Sequence, residues 1–262
     1  MATGNDINLC DERIYQNADM PKRAILRLIY ERYADWAAQF SAACRPACHI
    51  CCTRNVTISA VEGEEILRYI LEQGLERWLV ERLARVGPVA PPPLTTNEFA
   101  LACLEGREVA DDWPKNQWPC PFLEDALCRI YPARPLACRF LLSAQICASD
   151  TAALAPAGYP GAATALCQII EHLGQNDHWG NMLDVLPVLA ARRPFQTVAH
   201  LPADRLTSRL SGQAATTRLR RAKPLPGFLM DEQEAALAAP LLTTIFHSEI
   251  DGKSVEDILN GR

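Results

Sequence analysis

The sequence lacks the features that would mark a membrane or secreted protein. It has no run of about 18 apolar residues, the length that a membrane-spanning helix needs, so we expect no transmembrane segment. The first ten residues are polar and lack the basic-then-apolar pattern of a secretory signal. These absences predict a soluble, cytoplasmic protein without a membrane partner.

Several common catalytic motifs are missing as well. The chain has no Gly-rich phosphate loop, no Gly-x-Ser-x-Gly turn and no His-Glu-x-x-His helix. Strand signals are few and do not alternate with helices, which argues against the barrel of radical enzymes that use S-adenosylmethionine. Internal repeats and low-complexity tracts are also absent. The motifs therefore exclude several large enzyme classes and leave metal chemistry open.

Charge is distributed unevenly along the chain. The net charge is −5, but residues 190–224 carry a local charge of +7, which leaves −12 elsewhere. A basic segment of this kind can meet nucleic acid, a protein partner or the acidic body of its own protein. Phe195 is its only aromatic residue, which argues against base stacking and so against nucleic acid. The basic residues are Arg192, Arg193, Arg205, Arg209, Arg218, Arg220, Arg221 and Lys223.

Helical periodicity dominates the apolar pattern, and the only clear strand signal is the alternating segment Asn55–Ser59. Ser59 and Glu62 form a capping-box pattern that starts one helix, and Pro240 should kink or split another. The predicted helices cover 24–40, 60–73, 75–86, 96–104, 160–173, 182–191, 231–246 and 254–259. The predicted fold is mainly α with a small irregular β-hairpin and loop core that binds metal.

Three regions follow from this pattern. Residues 1–43 form an N-terminal helical lead-in, and residues 44–173 form a cysteine-cluster metal-binding domain that contains a helical insertion. Residues 174–262 form a C-terminal helical extension, which includes the basic linker 190–224.

The cysteines are the most informative residues that are present. There are 11, an odd number, and the chain is long for a disulfide-stapled scaffold. Buried structural cysteines do not cluster at ligand spacing, whereas seven of these fall into two compact groups. We therefore predict that they bind metal: Cys44, Cys48, Cys51 and Cys52 in the first group, and Cys120, Cys128 and Cys138 in the second.

Local spacing predicts the shape of each group. Cys48, Cys51 and Cys52 should lie on a short turn, since positions three and four apart share a helical face. Adjacent side chains diverge on a helix or a strand, so Cys51 and Cys52 should not both bind one tetrahedral ion. Either one of the two is structural or the site holds more than one metal.

The second group should combine a small hairpin with a short turn. The hairpin has Glu124 and Asp125 at its tip, and Pro135 starts the turn that carries Cys138.

Together these residues resemble a known family. The pattern Cys-x3-Cys-x2-Cys-Cys, then Cys-Pro-Phe-Leu, then Cys-x-Ile-Tyr-x2-Arg-Pro-x2-Cys-Arg resembles the YkgJ-type cysteine-cluster family, over about Cys44 to Cys138. The resemblance implies a zinc- or iron-chelating domain. Members carry a further cysteine after the Cys-Arg pair, and both Cys147 and Cys167 qualify. Some relatives have two residues where this chain has Arg45-Pro46-Ala47.

Function and metal stay open at the level of sequence. An all-thiolate set suits zinc and iron–sulfur chemistry, including a 4Fe-4S cluster, about equally well. The alternative is a metal-dependent protein-modifying enzyme, such as the flagellin lysine N-methylases to which some relatives are assigned. Three arginines flank the second group and could bind an anionic substrate: Arg129, Arg134 and Arg139. His49 is a further nitrogen donor, whereas Cys103 lies on an apolar helix face and is assigned to the core.

Overall fold

A computed structural model describes residues 6–87, 89–110, 118–148, 153–199 and 216–262, with side chains described from residue 20 onward except at Ala199. No described helix is long and apolar enough to cross a membrane. The α-helices are α1 Asp6–Ala37, α2 Ala60–Glu72, α3 Glu76–Ala84, α4 Thr96–Leu104, α5 Leu136–Arg139, α6 Tyr159–Leu173, α7 Met182–Ala190, α8 Gln196–Ala199, α9 Glu232–His247 and α10 Val255–Leu259, with a 3-10 turn at Tyr131–Ala133.

The strands are short and pair only antiparallel among the described residues. A three-stranded sheet has the order β1 Thr57–Ser59, β4 His178–Asn181, β5 Arg220–Arg221. Ile58 lies opposite Gly180, and Trp179 lies opposite Arg220. Two hairpins complete the set, β2 Leu123–Glu124 with β3 Leu127–Cys128 and β6 Glu249–Ile250 with β7 Lys253–Ser254. The predicted class, mainly α with small β elements, is confirmed.

Local capping explains where several helices begin. Glu62 accepts a hydrogen bond from the Ser59 backbone, as the capping-box pattern predicts. Thr95 caps α4 by accepting from the Glu98 backbone, whereas the sequence pattern predicts Thr96 as the cap. Gly74 has a φ of 63°, a backbone conformation that favours glycine, and it follows the end of α2.

Three elements differ from those that the sequence pattern predicts. Helix α1 begins at Asp6 and contains Pro21, whereas periodicity alone starts it at residue 24. Helix α9 runs through Pro240 as one element. Strand β4 was not predicted, because its sequence, His-Trp-Gly-Asn, has no alternating pattern and depends on pairing with distant strands.

Two hydrophobic clusters make up the core. The first joins α2, α3 and α7, and Cys120, Cys128 and Cys138 pack against it. The second joins α1, α6, α9 and α10, and Cys167 packs against that one. The cysteine-bearing loops therefore have a packed layer beneath them.

Gly63 marks the closest approach of α2 to α7. A Cβ atom at this position would lie 2.6 Å from Leu189 Cδ1 and 3.2 Å from Val185 Cγ1, and both partners are buried. Overpacking costs about 1–3 kcal/mol, while alanine gains about 1 kcal/mol in helix propensity. We expect Gly63→Ala to lower the free energy of unfolding by about 1 kcal/mol in urea denaturation. Gly87→Ala is the control, since a Cβ there meets nothing within 4 Å, and an equal effect of both changes would contradict this packing.

Candidate metal centre

Backbone hydrogen bonds join the two cysteine groups. Thr53 and Pro119 form an isolated antiparallel bridge, and the Cys120 N–H donates to the Cys52 carbonyl at 2.9 Å. These residues lie more than 60 positions apart in the chain, separated by α2, α3 and α4. The last cysteine of the first group therefore lies directly beside the first cysteine of the second.

Two tight turns position the first group. The Cys48 N–H donates to the Arg45 carbonyl at 3.0 Å, and the Cys52 N–H donates to the His49 carbonyl at 2.9 Å. These turns are not helical, and Ala47 between the first pair has a φ of 65°. The thiols of Cys51 and Cys52 lie close enough for each to shift the pKa of the other. This proximity arises on turn backbone, whereas the expected divergence applies to a regular helix or strand. That the two thiols do not share one tetrahedral ion stays a prediction.

The second group has the predicted hairpin and turn. Leu123 pairs with Cys128 across β2 and β3. The connecting residues Asp125 and Ala126 have φ values of 48° and 65°, as a two-residue type I′ turn requires. Pro135 precedes α5 as its N-cap residue, and its carbonyl accepts from the Cys138 N–H at 3.0 Å. Cys138 is thus held within one turn of the start of α5.

Cysteines from both groups line one cavity of about 410 Å³, which we call the cysteine cavity. Three of them are exposed, Cys44, Cys48 and Cys51, and the other four are half-buried. The set is Cys44, Cys48, Cys51, Cys52, Cys120, Cys128 and Cys138.

The local environment makes these thiols unequal. The hydrogen bond with Cys51 lowers the pKa of Cys52 and raises the pKa of Cys51. Burial raises the pKa of Cys120 to about 11, and it also raises the pKa values of Cys128 and Cys138. Cys52, Cys120, Cys128 and Cys138 lie close enough for the charge on one to affect another. Cys52 is therefore the thiol most readily ionised among these five.

Proximity is not the same as coordination geometry. Among the described residues, no three Cys, His, Asp or Glu side chains converge closely enough to hold one metal ion. Zn–S bonds are about 2.3 Å long, so the sulfurs must move together for binding. The exposed turns of the first group lie outside the helices and named strands, and they can supply that movement.

The two candidates for an eighth ligand lie outside the cysteine cavity. Cys147 lines a shallow depression together with Cys44 and Cys48. Cys167, on α6, lines a different cavity that also includes Cys44, Cys48 and Cys51, and Cys147 lines that cavity as well. His49 lies by the Cys147 depression, where its Nδ1 atom is 3.0 Å from the Ala47 carbonyl.

The three flanking arginines have separate surroundings. Arg134 lines the cysteine cavity, and its guanidinium lies 3.9 Å from the centre of the Tyr131 ring. Arg139 donates to the backbone carbonyls of Arg134 and Pro132. Arg129 lies 4.0 Å from Glu124 and is mostly exposed. Arg45 also lines the cavity, although the sequence pattern did not identify it as a site residue.

Much of the basic segment pairs with acids of the same chain. Arg192 donates to both carboxylate oxygens of Asp177 at 2.7–2.8 Å. Arg218 binds the buried Asp184, and Arg220 and Lys223 each lie 3.5 Å from Glu98. Arg205 and Arg209 lie outside the described residues. These ion pairs hold the described part of the basic segment against acidic residues of the same chain.

Comparison with protein families agrees with the motif. Residues 43–156 match the family named CxxCxxCC, which is described as "Putative zinc- or iron-chelating domain". The match confirms the predicted resemblance over this segment. No curated protein matches the chain, and no solved structure matches it.

Proposed function

We propose, from this family match and from the geometry, that the protein binds zinc or iron in one centre built from both cysteine groups. The observation that carries the proposal is the shared cavity: cysteines from two distant segments line it, and a backbone bond from Cys120 to Cys52 holds the segments together. The proposed ligands are Cys44, Cys48, Cys51, Cys52, Cys120, Cys128 and Cys138.

The donor set fits a thiophilic metal. Thiolates suit zinc and iron–sulfur clusters equally, and four of them complete a closed zinc site or one cluster. Seven sulfurs in one cavity exceed that number, which supports a second metal or a larger centre. A zinc ion would stabilise the fold, whereas an iron–sulfur cluster would add electron transfer. A reducing compartment such as the cytoplasm would keep these thiols available.

The test is metal analysis of protein purified without oxygen, together with a visible absorption spectrum. We expect at least one equivalent of zinc plus iron per chain. A brown protein with acid-labile sulfide would identify an iron–sulfur cluster, and a colourless protein would identify zinc. Less than half an equivalent of zinc plus iron would contradict the proposal.

Metal affinity should rise steeply with pH. Burial keeps the Cys120 thiol protonated at neutral pH, with a pKa of about 11, and it raises the pKa of Cys138 as well. Each such thiol must release its proton to bind metal, so the apparent affinity increases as the pH rises toward the thiol pKa. With two protons released, affinity should improve on the order of a hundredfold per pH unit. Competition with a chelator at pH 6.5 and 7.5 measures this, and no change would contradict it.

An enzyme with the metal at its active site is the second candidate. The observation that favours it is the neighbouring cavity, which has Cys44, Cys48 and Cys51 in its lining as well. A ligand there would reach the same sulfurs. The described residues favour no particular reaction, methyl transfer to lysine included.

A further inference from the structure

The formal charges that line the cysteine cavity are unbalanced. Apart from the thiols, its lining includes the guanidinium groups of Arg45 and Arg134 and, among the described residues, no Asp or Glu. Arg45 is exposed, whereas Arg134 is half-buried. While its thiols are protonated, the cavity therefore presents positive charge without a carboxylate to balance it.

Arg134 lacks the partners that a half-buried arginine has elsewhere in the described chain. Arg192 binds Asp177, and Arg218 binds Asp184. Arg134 has no ion pair among the described residues, and its buried Nε atom has no hydrogen-bond partner. Buried polar groups are nearly always hydrogen-bonded, so an unpaired guanidinium in this lining favours an acceptor bound in the cavity.

The contacts that hold Arg134 leave its N–H groups unused. Its guanidinium lies 3.9 Å from the centre of the Tyr131 ring, and stacking of this kind occupies the flat face of the group rather than its N–H edge. Arg139 fixes the backbone, since it donates to the carbonyls of Arg134 and Pro132 at 2.7 and 2.8 Å. Arg134 is therefore positioned in advance, with its donors available.

A metal centre made of thiolates is an acceptor of the right charge. Thiols must lose their protons to bind metal, and four thiolates around a divalent ion or an iron–sulfur cluster leave a net negative charge. Burial raises the pKa values of Cys128 and Cys138, and the Arg134 charge acts in the opposite direction. The charges of Arg134 and of such a centre thus complement each other within one cavity.

We propose that Arg134 is the counter-cation of the metal centre, and that it donates a guanidinium hydrogen bond to a ligating sulfur. It binds no metal itself and acts through the cysteines as a positioning residue. Arg45 is exposed, so water and salt screen its charge and it contributes little. The inference rests on the proposed centre and assigns the group that offsets its negative charge.

The first test compares the full-length wild type with Arg134→Met, which keeps the length of the side chain but removes its charge and donors. If the wild type holds zinc, zinc affinity is measured by competition with a chelator at one pH. Loss of an outer-shell partner weakens metal binding by about 10- to 100-fold, and we expect a loss in this range. Equal zinc affinity of the two proteins would overturn the proposal.

Arg134→Lys separates the charge from a merely structural role. Lysine keeps the positive charge but lacks the planar fork, so its zinc affinity should be at least about threefold higher than that of Arg134→Met and below that of the wild type. If lysine restores nothing, the packing of Arg134 against Tyr131 matters rather than its charge, and the proposal is wrong.

If the wild type holds an iron–sulfur cluster, the readout is its midpoint potential. Reduction adds a negative charge, and both net charge and hydrogen bonds to sulfur set the potential. We expect a shift to lower potential in Arg134→Met and a return toward the wild-type value in Arg134→Lys. An unchanged potential in Arg134→Met would reject the role of Arg134.

Arg129→Met is the matched control. Arg129 directly follows Cys128 in the chain, but it does not line the cavity and lies 4.0 Å from Glu124. Its zinc affinity should change by less than about twofold, and an effect as large as that of Arg134→Met would contradict a specific role. Wild-type protein with less than half an equivalent of zinc plus iron rejects the centre and this role together. Full wild-type metal content with unchanged Arg134 variants rejects the role of Arg134 alone.

Discussion

Replacing either Cys48 or Cys138 with serine is expected to remove most of the bound metal, although the two residues belong to different groups. Structural zinc contributes about 10–16 kcal/mol of binding free energy, so each of four thiolates supplies roughly 3 kcal/mol. Losing one should weaken binding by about two orders of magnitude. Because of this weaker binding, metal content after anaerobic purification and gel filtration should fall below about a fifth of the wild-type value.

The pair of variants distinguishes one shared centre from two separate ones. If each group held its own metal, each variant would keep the metal of the other group. Cys103→Ser is the matched control, because Cys103 is a half-buried free thiol on α4 that lines neither cavity. Full metal content in either the Cys48 or the Cys138 variant would contradict a centre built from both groups.

Arg218→Met should cost about 3 kcal/mol of unfolding free energy. The Asp184 side chain is 2% exposed, and Arg218 donates to its Oδ1 atom through both Nε and Nη2. The Oδ2 atom has no hydrogen-bond partner. Removing one member of a buried ion pair costs about 3–5 kcal/mol, because the other charge stays buried. The position of Asp184 in the first turn of α7 favours a negative charge and argues for the lower figure.

Urea denaturation of the as-purified protein measures this cost. Arg221→Met serves as the control, since the exposed Arg221 side chain donates to the Asn176 carbonyl at 3.4 Å and forms no ion pair among the described residues. Its unfolding free energy should change by less than about 0.5 kcal/mol. The double change Arg218→Met with Asp184→Leu should recover most of the loss, as apolar replacements of buried pairs often do. A cost below about 0.5 kcal/mol for Arg218→Met would show that this contact does not anchor the basic segment.

Sequence patterns predict features whose cause is local. The capping box at Ser59 and Glu62, the hairpin tip at Asp125 and the turn after Pro135 each depend on a few neighbouring residues, and all three are present. The sequence also predicts the two cysteine groups, since ligand spacing is a property of residues close together in the chain.

Sequence patterns do not predict features that depend on contacts between distant segments. Strand β4 forms because β1 and β5 pair with it, and its own four residues do not alternate. The direction of the Cys51 and Cys52 thiols depends on turn geometry that neither spacing nor propensity specifies. The cavity that Cys167 lines combines residues from α2, α6 and the loops between them, so only the folded chain brings Cys167 into one cavity with Cys44 and Cys51.

The most direct test of the metal centre is thiol mapping by iodoacetamide and mass spectrometry on the native, anaerobically purified protein. Cys44, Cys48 and Cys51 are exposed in the structure, so burial in the fold cannot protect them. A metal centre predicts that all three resist alkylation until EDTA or a stronger chelator removes the metal, and that Cys103 changes little. Rapid alkylation of these three cysteines before chelation, in protein with less than half an equivalent of zinc plus iron, would contradict the centre.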